Sequence, residues 1–348
     1  MLQALHFNEV FSFASGSTEK PGSSEAMPQC EEDGGVHSHS RHSAINKPTT
    51  DYSLSIANRL YGANSFHFLQ QYLRCTETLY HAELEVVDFS SALEETRRKI
   101  NSWVENQTNG KIQELFPPDS ISHDAALVLV NAIYFKGNWT VKFKKGNTKE
   151  TVFRLNKNET KNVQMMFQNG IYNLAIIEEP QVDMLELPYG KTEELSMLIF
   201  LPKDIKDNST GLEQLESAFT YTKLEEWTSL AKKNKQNVDV YLPRFKIEEN
   251  YDLENVLKAM GMLDLFDHLK ADLSGMSGEP NLIVSKVIHK SYVDINEEGT
   301  EATGATGGVA VPVSMPIPHE FKANHPFLFF IKDNVPNSIL FCGRCASP

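Results

Sequence analysis

Cysteine, tryptophan and positive charge are all scarce in this chain. Its 348 residues include 4 Cys, 3 Trp and 33 Lys and Arg, against 46 Asp and Glu. The resulting net charge of −13 argues against a nucleic-acid partner, which needs a clustered basic surface. The short runs KFKK at 142–145 and KKNK at 232–235 read as solvated surface rather than a polyanion site. No apolar stretch approaches the length of a membrane span, and the longest, AALVLVNAIYF at 125–135, is interrupted by Asn131. The opening segment MLQALHFNEVFSF lacks a cationic start and carries Asn8 and Glu9 within its apolar part, unlike a secretory signal. These absences predict a cytoplasmic protein without nucleic-acid or membrane partners, any extracellular copy leaving by an unconventional route.

The cysteines add to this picture. Cys30, Cys75, Cys342 and Cys345 are too widely spread to suggest a disulfide framework. Cys342-Gly-Arg-Cys345 has redox or zinc spacing, but the string SILFCGRCASP reads as a strand, where residues three apart face opposite ways. Two thiolates so placed cannot chelate one ion, and no second pair completes a four-ligand set. Sequons at Asn106, Asn138, Asn158 and Asn208 are read as unused without a signal. No Gly-x-Ser-x-Gly elbow, Walker loop, HExxH or GxGxxG occurs in a convincing context. The chain is therefore expected not to be an enzyme and to need no cofactor. His37, His39 and His42 in VHSHSRH are read as incidental, so no metal is expected.

Residues 14–51 are rich in Ser, Gly, Glu, Pro and His, which predicts disorder. From Tyr52 onward helical and strand patterns mix. FLQQYLRCTETLYHAEL and EETRRKINSWVENQTNGKI carry apolar residues at helical spacing, with Gly110 as the stop of the second. The run 125–135 reads as a central buried strand, VDVYLPRFKI as an alternating one and HPFLFFI as another buried one. The expected class is α+β, a large mixed sheet with flanking helices.

One segment fits no core. Residues 297–316 read EEGTEATGATGGVAVPVSMP: two acids, a dozen small residues, then prolines, with no Lys or Arg. Thr300, Ala302, Gly304, Thr306, Gly308 and Ala310 alternate, so an extended chain would aim all six at one face. Pro312, Pro316 and Pro318 cannot extend a central ladder. The segment is half a spare strand and half an exposed, cleavable loop.

EEGTEATGAT, followed by FKANHPFLFFI at 321–331, resembles the hinge and C-terminal signature of the serpins. LVNAIYFKGNW at 129–139, LELPYGKTEELSMLIFLP at 185–202, YLPRFKIEENYDL at 241–253 and ADLSGM at 271–276 appear in that family's order. The similarity is greatest to the intracellular, ovalbumin-like branch (clade B). The resemblance covers residues 52–348, taken as the serpin domain with its reactive loop at 297–318; residues 1–51 are read as an amino-terminal remnant and low-complexity loop, shorter than in full-length relatives.

The resemblance implies a suicide-substrate inhibitor of serine proteases. A protease attacks the loop, forms an acyl-enzyme, and is dragged away as the freed hinge inserts into the main sheet. It assigns the hinge to Glu297, Glu298, Gly299, Thr300, Glu301, Ala302, Thr303, Gly304, Ala305 and Thr306, and the reactive bond to Val313–Ser314. It assigns Asn131 and His325 to the shutter, where the sheet opens, and Trp139, Arg244 and Glu297 to the breach, where insertion begins. Small Val313 predicts elastase-like targets, held in a covalent complex by a monomer, because trypsin-type pockets want Lys or Arg. Thr303 and Gly304 stand where inhibitory members carry alanines, and glycine in a strand costs about 0.5–1 kcal/mol more than alanine. That departure and the short amino terminus keep open a non-inhibitory serpin-fold binding protein or an inactive truncated isoform cut as a substrate.

Overall fold

The computed structural model describes residues 51–80, 82–279, 281–298 and 317–348. The low-complexity stretch 14–51 apart from Asp51, the histidine cluster, hinge residues Gly299–Thr306 and the Val313–Ser314 bond lie outside them.

Two sheets carry the fold. In the first, β1 (Tyr52–Ala63), β2 (Glu83–Val87), β3 (Leu127–Gly137), β9 (Phe245–Asp252) and β10 (Val284–Ile295) lie in the order β2-β1-β3-β10-β9. At its centre β3 and β10 run parallel, with Asn131 opposite His289 and Tyr134 opposite Tyr292. The second sheet has the order β11-β8-β5-β6-β7-β12-β13, with β4 paired to β5. Its strands are β4 (Lys149–Arg154), β5 (Thr160–Ile177), β6 (Val182–Tyr189), β7 (Leu195–Pro202), β8 (Lys235–Pro243), β11 (His319–Lys322), β12 (Phe327–Asp333) and β13 (Ser338–Cys345).

The main core lies between the sheets. Ile133, Phe135, Val293 and Ile295 of the first sheet pack with Met165, Leu185, Ile199 and Phe329 of the second. β3 is apolar on both faces, as its sequence predicts: Val128, Val130, Ala132 and Tyr134 instead pack under α2 (Leu93–Gln107) with Ile100 and Val104. α4 (Tyr221–Lys232), following α3 (Glu213–Ala218), covers the outer face of the second sheet through Leu224 and Trp227. α5 (Glu254–Ala259) and α6 (Ser274–Ser277) are short.

Three local expectations shift. The first helical pattern ends early: α1 spans Gln70–Tyr80, and Glu83 and Leu84 join β2 because parallel pairing with Arg59 and Leu60 outweighs their helical spacing. VDVYLPRFKI divides at Arg244, β8 belonging to the second sheet and β9 to the first. Cys75 is disulfide-bonded, a link that cysteine spacing did not suggest, while Cys342 and Cys345 are free. The second helix does stop as read, since Asn109 and Gly110 take φ of 53° and 71°, where a left-handed backbone ends a helix.

The chain after α2 forms a strap along the sheet. Asn101 donates to the Phe116 carbonyl and accepts from its amide, both at 2.9 Å, and Arg97 Nη1 donates to the same carbonyl at 2.6 Å. The Lys290 ammonium of β10, almost buried, donates to the Glu114 carbonyl at 2.9 Å and pairs with Glu248 of β9 at 3.0 Å.

Candidate functional site

β10 ends at Ile295, and the next residues lead directly toward the small-residue segment, so the functional geometry begins there. Glu297 is buried although charged, 5% exposed, and a buried carboxylate needs donors. Thr148 Oγ1 donates to its Oε1 at 2.7 Å, and Arg244 Nε lies 3.3 Å from its Oε2. Arg244 can reach it because that residue sits where the chain crosses from β8 to β9, its own amide donating to the Gln164 carbonyl of β5 at 2.8 Å. Lys136 of β3 pairs with Glu298, whose carboxyl is held below its ordinary value by that hydrogen bond and by Lys136, Lys145 and Lys142 nearby. A cleft of about 290 Å³ is lined by Lys145, Gln164 and Arg244 together with Asn296, Glu297 and Glu298.

Trp139 follows β3 and reads the same turn. Its Nε1 donates to the Asn296 carbonyl at 2.8 Å, and its ring stacks on Tyr189 with centroids 4.4 Å apart and planes 16° off parallel. Gly137 permits this packing: a Cβ there would fall 2.4 Å from Tyr189 Cδ1 and 2.6 Å from Phe135 Cζ. Trp139, Arg244 and Glu297, separated by up to 158 positions in sequence, are thus brought together around Asn296 and Glu297.

Farther down the seam a polar row crosses four strands. Asn58 of β1 lies opposite Asn131 of β3, which lies opposite His289 of β10, itself opposite Tyr251 of β9. The Asn131 amide donates to Asn58 Oδ1 and accepts from His289 Nδ1. Tyr251 stacks on the imidazole at 6.0 Å, and burial pushes the His289 pKa below its ordinary value. His325, expected beside Asn131, is elsewhere. It precedes β12, its Nε2 donates to the Pro202 carbonyl at 2.6 Å and its Nδ1 lies 3.0 Å from Asn324 Oδ1. The reason is register: a residue leading into β12 belongs to the second sheet, whereas His289 shares a rung with Asn131. Sequence reasoning thus missed Asn58, His289, Tyr251 and Thr148. Asn131, polar within the apolar run of β3, was the available signal; His289 had none, since Lys286, Lys290 and Ser291 of β10 are polar as well.

A family model described as Serpin (serine protease inhibitor) matches residues 1–348. The chain belongs to the serpin family. It is 51% identical to leukocyte elastase inhibitor of Equus caballus over 316 residues, covering 90% of this chain and 83% of that protein. Identity to Serpin B4 of Homo sapiens is 48% over 349 residues, 99% of this chain and 86% of that protein. Among solved structures, uncleaved ovalbumin superposes with a TM-score of 0.80 at 41% identity, covering 89% of this chain and 78% of that one. Maspin gives 0.80 at 35% identity, covering 89% and 81%. The serpin is therefore an α+β protein of the ovalbumin-like branch, in a family of protease inhibitors rather than catalysts. Among its described residues no helix is long and apolar enough to cross a membrane, and no group of three or more His, Cys, Asp or Glu is arranged to hold a metal ion.

Proposed function

We propose that this serpin inhibits elastase-like serine proteases by suicide-substrate loop insertion. The observation that carries the reading is the parallel β3–β10 pair, whose second member leads straight into the small-residue segment. A segment turning back from the end of β10 would lie antiparallel to both strands. One parallel ladder would give way to two antiparallel ones, and antiparallel pairing is slightly the more stable per residue. At about 0.5–1.5 kcal/mol per net hydrogen bond, a dozen-residue insertion releases on the order of 10 kcal/mol. The uncleaved form is then kinetically held.

In this reading Glu297, fastened by Thr148 and Arg244, and Asn296, fastened by Trp139, hold the entrance of the seam closed. Gly299–Thr306 supply the inserting hinge, and Asn131 with His289 bridges the strands that must part. Val313 presents a small aliphatic group at a reactive bond to Ser314, which suits an elastase-type pocket. The working unit is a monomer that ends in a covalent complex. The cytoplasm is its expected compartment, since its similarity lies with the intracellular branch. Thr303 and Gly304 support a second outcome, in which slow insertion loses to deacylation and the chain is cut as a substrate.

Incubation with neutrophil elastase followed by denaturing electrophoresis separates the two outcomes. A surviving complex of summed mass is expected; a clean cleavage product with no complex overturns inhibition. Val313→Arg is expected to redirect the chain to trypsin-like proteases, and continued preference for elastase would show that the reactive bond lies elsewhere.

A further inference from the structure

One buried cation of the second sheet takes no part in the loop mechanism. Lys332 of β12 is 5% exposed, yet its ammonium makes no hydrogen bond or ion pair among the described residues. Strand alternation gives its direction. Phe329 and Ile331 face the core between the sheets, whereas Leu328 and Phe330 face α4. Lys332 continues that second row. It lies opposite Ser196 of β7, two residues before Leu198, which faces α4 as well. The side chain thus enters the groove beneath α4, where burial first and then the Lys232 ammonium of that helix push its pKa below the ordinary value.

The acids that act on it are engaged elsewhere. Glu186 of β6 accepts from Asn173 Nδ2 at 2.8 Å, and Glu225 of α4 accepts from the Tyr221 hydroxyl at 3.0 Å and Asn337 Nδ2 at 3.4 Å. Lys332 and Lys232, the first residue of the KKNK run, therefore both lack a carboxylate at ion-pair distance among the described residues. Ser196 is 1% exposed and accepts from Asn334 Nδ2 at 2.6 Å, while its own hydroxyl hydrogen has no acceptor among the described residues. Asn334 Oδ1, on the far side of that amide, is buried without a donor. A buried cation without acceptors is costly, and an anion reaching both lysines would offset that cost.

The unpartnered atoms narrow the ligand. Two ammonium groups and one hydroxyl donor suit a dianion with several oxygens. The orphan Asn334 Oδ1 asks in addition for a hydrogen on the ligand. Monohydrogen phosphate carries two negative charges, three acceptor oxygens and one O–H; sulfate and a dianionic phosphate ester have the charge and shape without that hydrogen. We propose that the groove between α4 and strands β7 and β12 binds inorganic phosphate, held by Lys332, Lys232 and the Ser196 hydroxyl, with its own O–H donating to Asn334 Oδ1. The site lies away from the loop and is independent of the inhibitory reading above.

The test compares wild type, Lys332→Met and Lys232→Gln in phosphate, sulfate, methyl phosphate and chloride at equal ionic strength, slightly above neutral pH. Phosphate at ten times its dissociation constant should raise the wild-type melting temperature by about 2 degrees. Lys232→Gln should weaken binding about fivefold. Sulfate and methyl phosphate should each bind about tenfold more weakly than phosphate, because Asn334 Oδ1 is then left unpaired. Lys332→Met should be at least as stable as wild type in chloride, since an apolar chain of similar length replaces an unpaired buried cation, yet it should gain nothing specific from phosphate. Equal stabilisation of wild type and Lys332→Met is the general effect of an excluded salt and overturns the site. Equal binding of phosphate and either analogue overturns the assignment to inorganic phosphate. A second measurement needs no variant: the NMR titration of the Lys332 ε-methylene in wild type should shift to higher pH when phosphate replaces chloride, and an unmoved midpoint overturns the proposal.

Discussion

Residues that look interchangeable by composition are separated by what surrounds them. Glu297 and Glu298 are adjacent acids, yet one is buried with two partners and the other sits in a surface pair with Lys136. Thr148→Val keeps the shape at the first site and removes its hydroxyl donor. The expected cost is about 1–3 kcal/mol, because a buried carboxylate oxygen is left unpaired, and denaturant melts at neutral pH measure it. Histidine gives a pH prediction. Burial holds the His289 and His325 pKa values below the ordinary 6.5, so as pH falls the unfolded chain takes up these protons first. Their contribution to stability is complete above about pH 6.5 and is lost progressively below it. The double variant His289→Gln, His325→Gln is expected to flatten the stability profile between about pH 7 and pH 5. An unchanged slope would show that neither imidazole is kept neutral by the fold.

Among the elements, the strap after α2 is the one whose hold can be tested without touching the loop. Asn101 satisfies both backbone groups of Phe116. Asn101→Ala is expected to cost about 1–3 kcal/mol and to raise amide exchange across residues 111–118 while β3 stays protected. Elements also show where the sequence was legible. The buried character of β3 and the stop of α2 at Gly110 followed from local pattern. The division at Arg244 did not, since Pro243 and Arg244 interrupt an alternation that continues on both sides. Only the choice of sheet for each half reveals a corner, and that corner is what lets Arg244 reach Glu297.

For the whole molecule, the proposed mechanism makes a thermal prediction. Cleavage within 309–316 should raise the melting temperature by roughly 10–20 degrees if the hinge inserts, because an insertion worth on the order of 10 kcal/mol is a large fraction of the stability of a domain. Differential scanning calorimetry before and after limited proteolysis reads it, and an unchanged or lower value would mean that the cut chain stays outside the sheet.

Sequence alone determined the family, the class of fold and the chemistry of the loop, because each is carried by a contiguous string: small alternating residues, the prolines that follow, and Val313 among them. Tertiary structure alone decided which distant side chains share a rung or a corner. It put His289 rather than His325 against Asn131, and Thr148 beside Glu297. The physical reason is register. In a sheet, neighbours are chosen by strand pairing across tens or hundreds of residues, and a shift of one position sends a side chain to the opposite face.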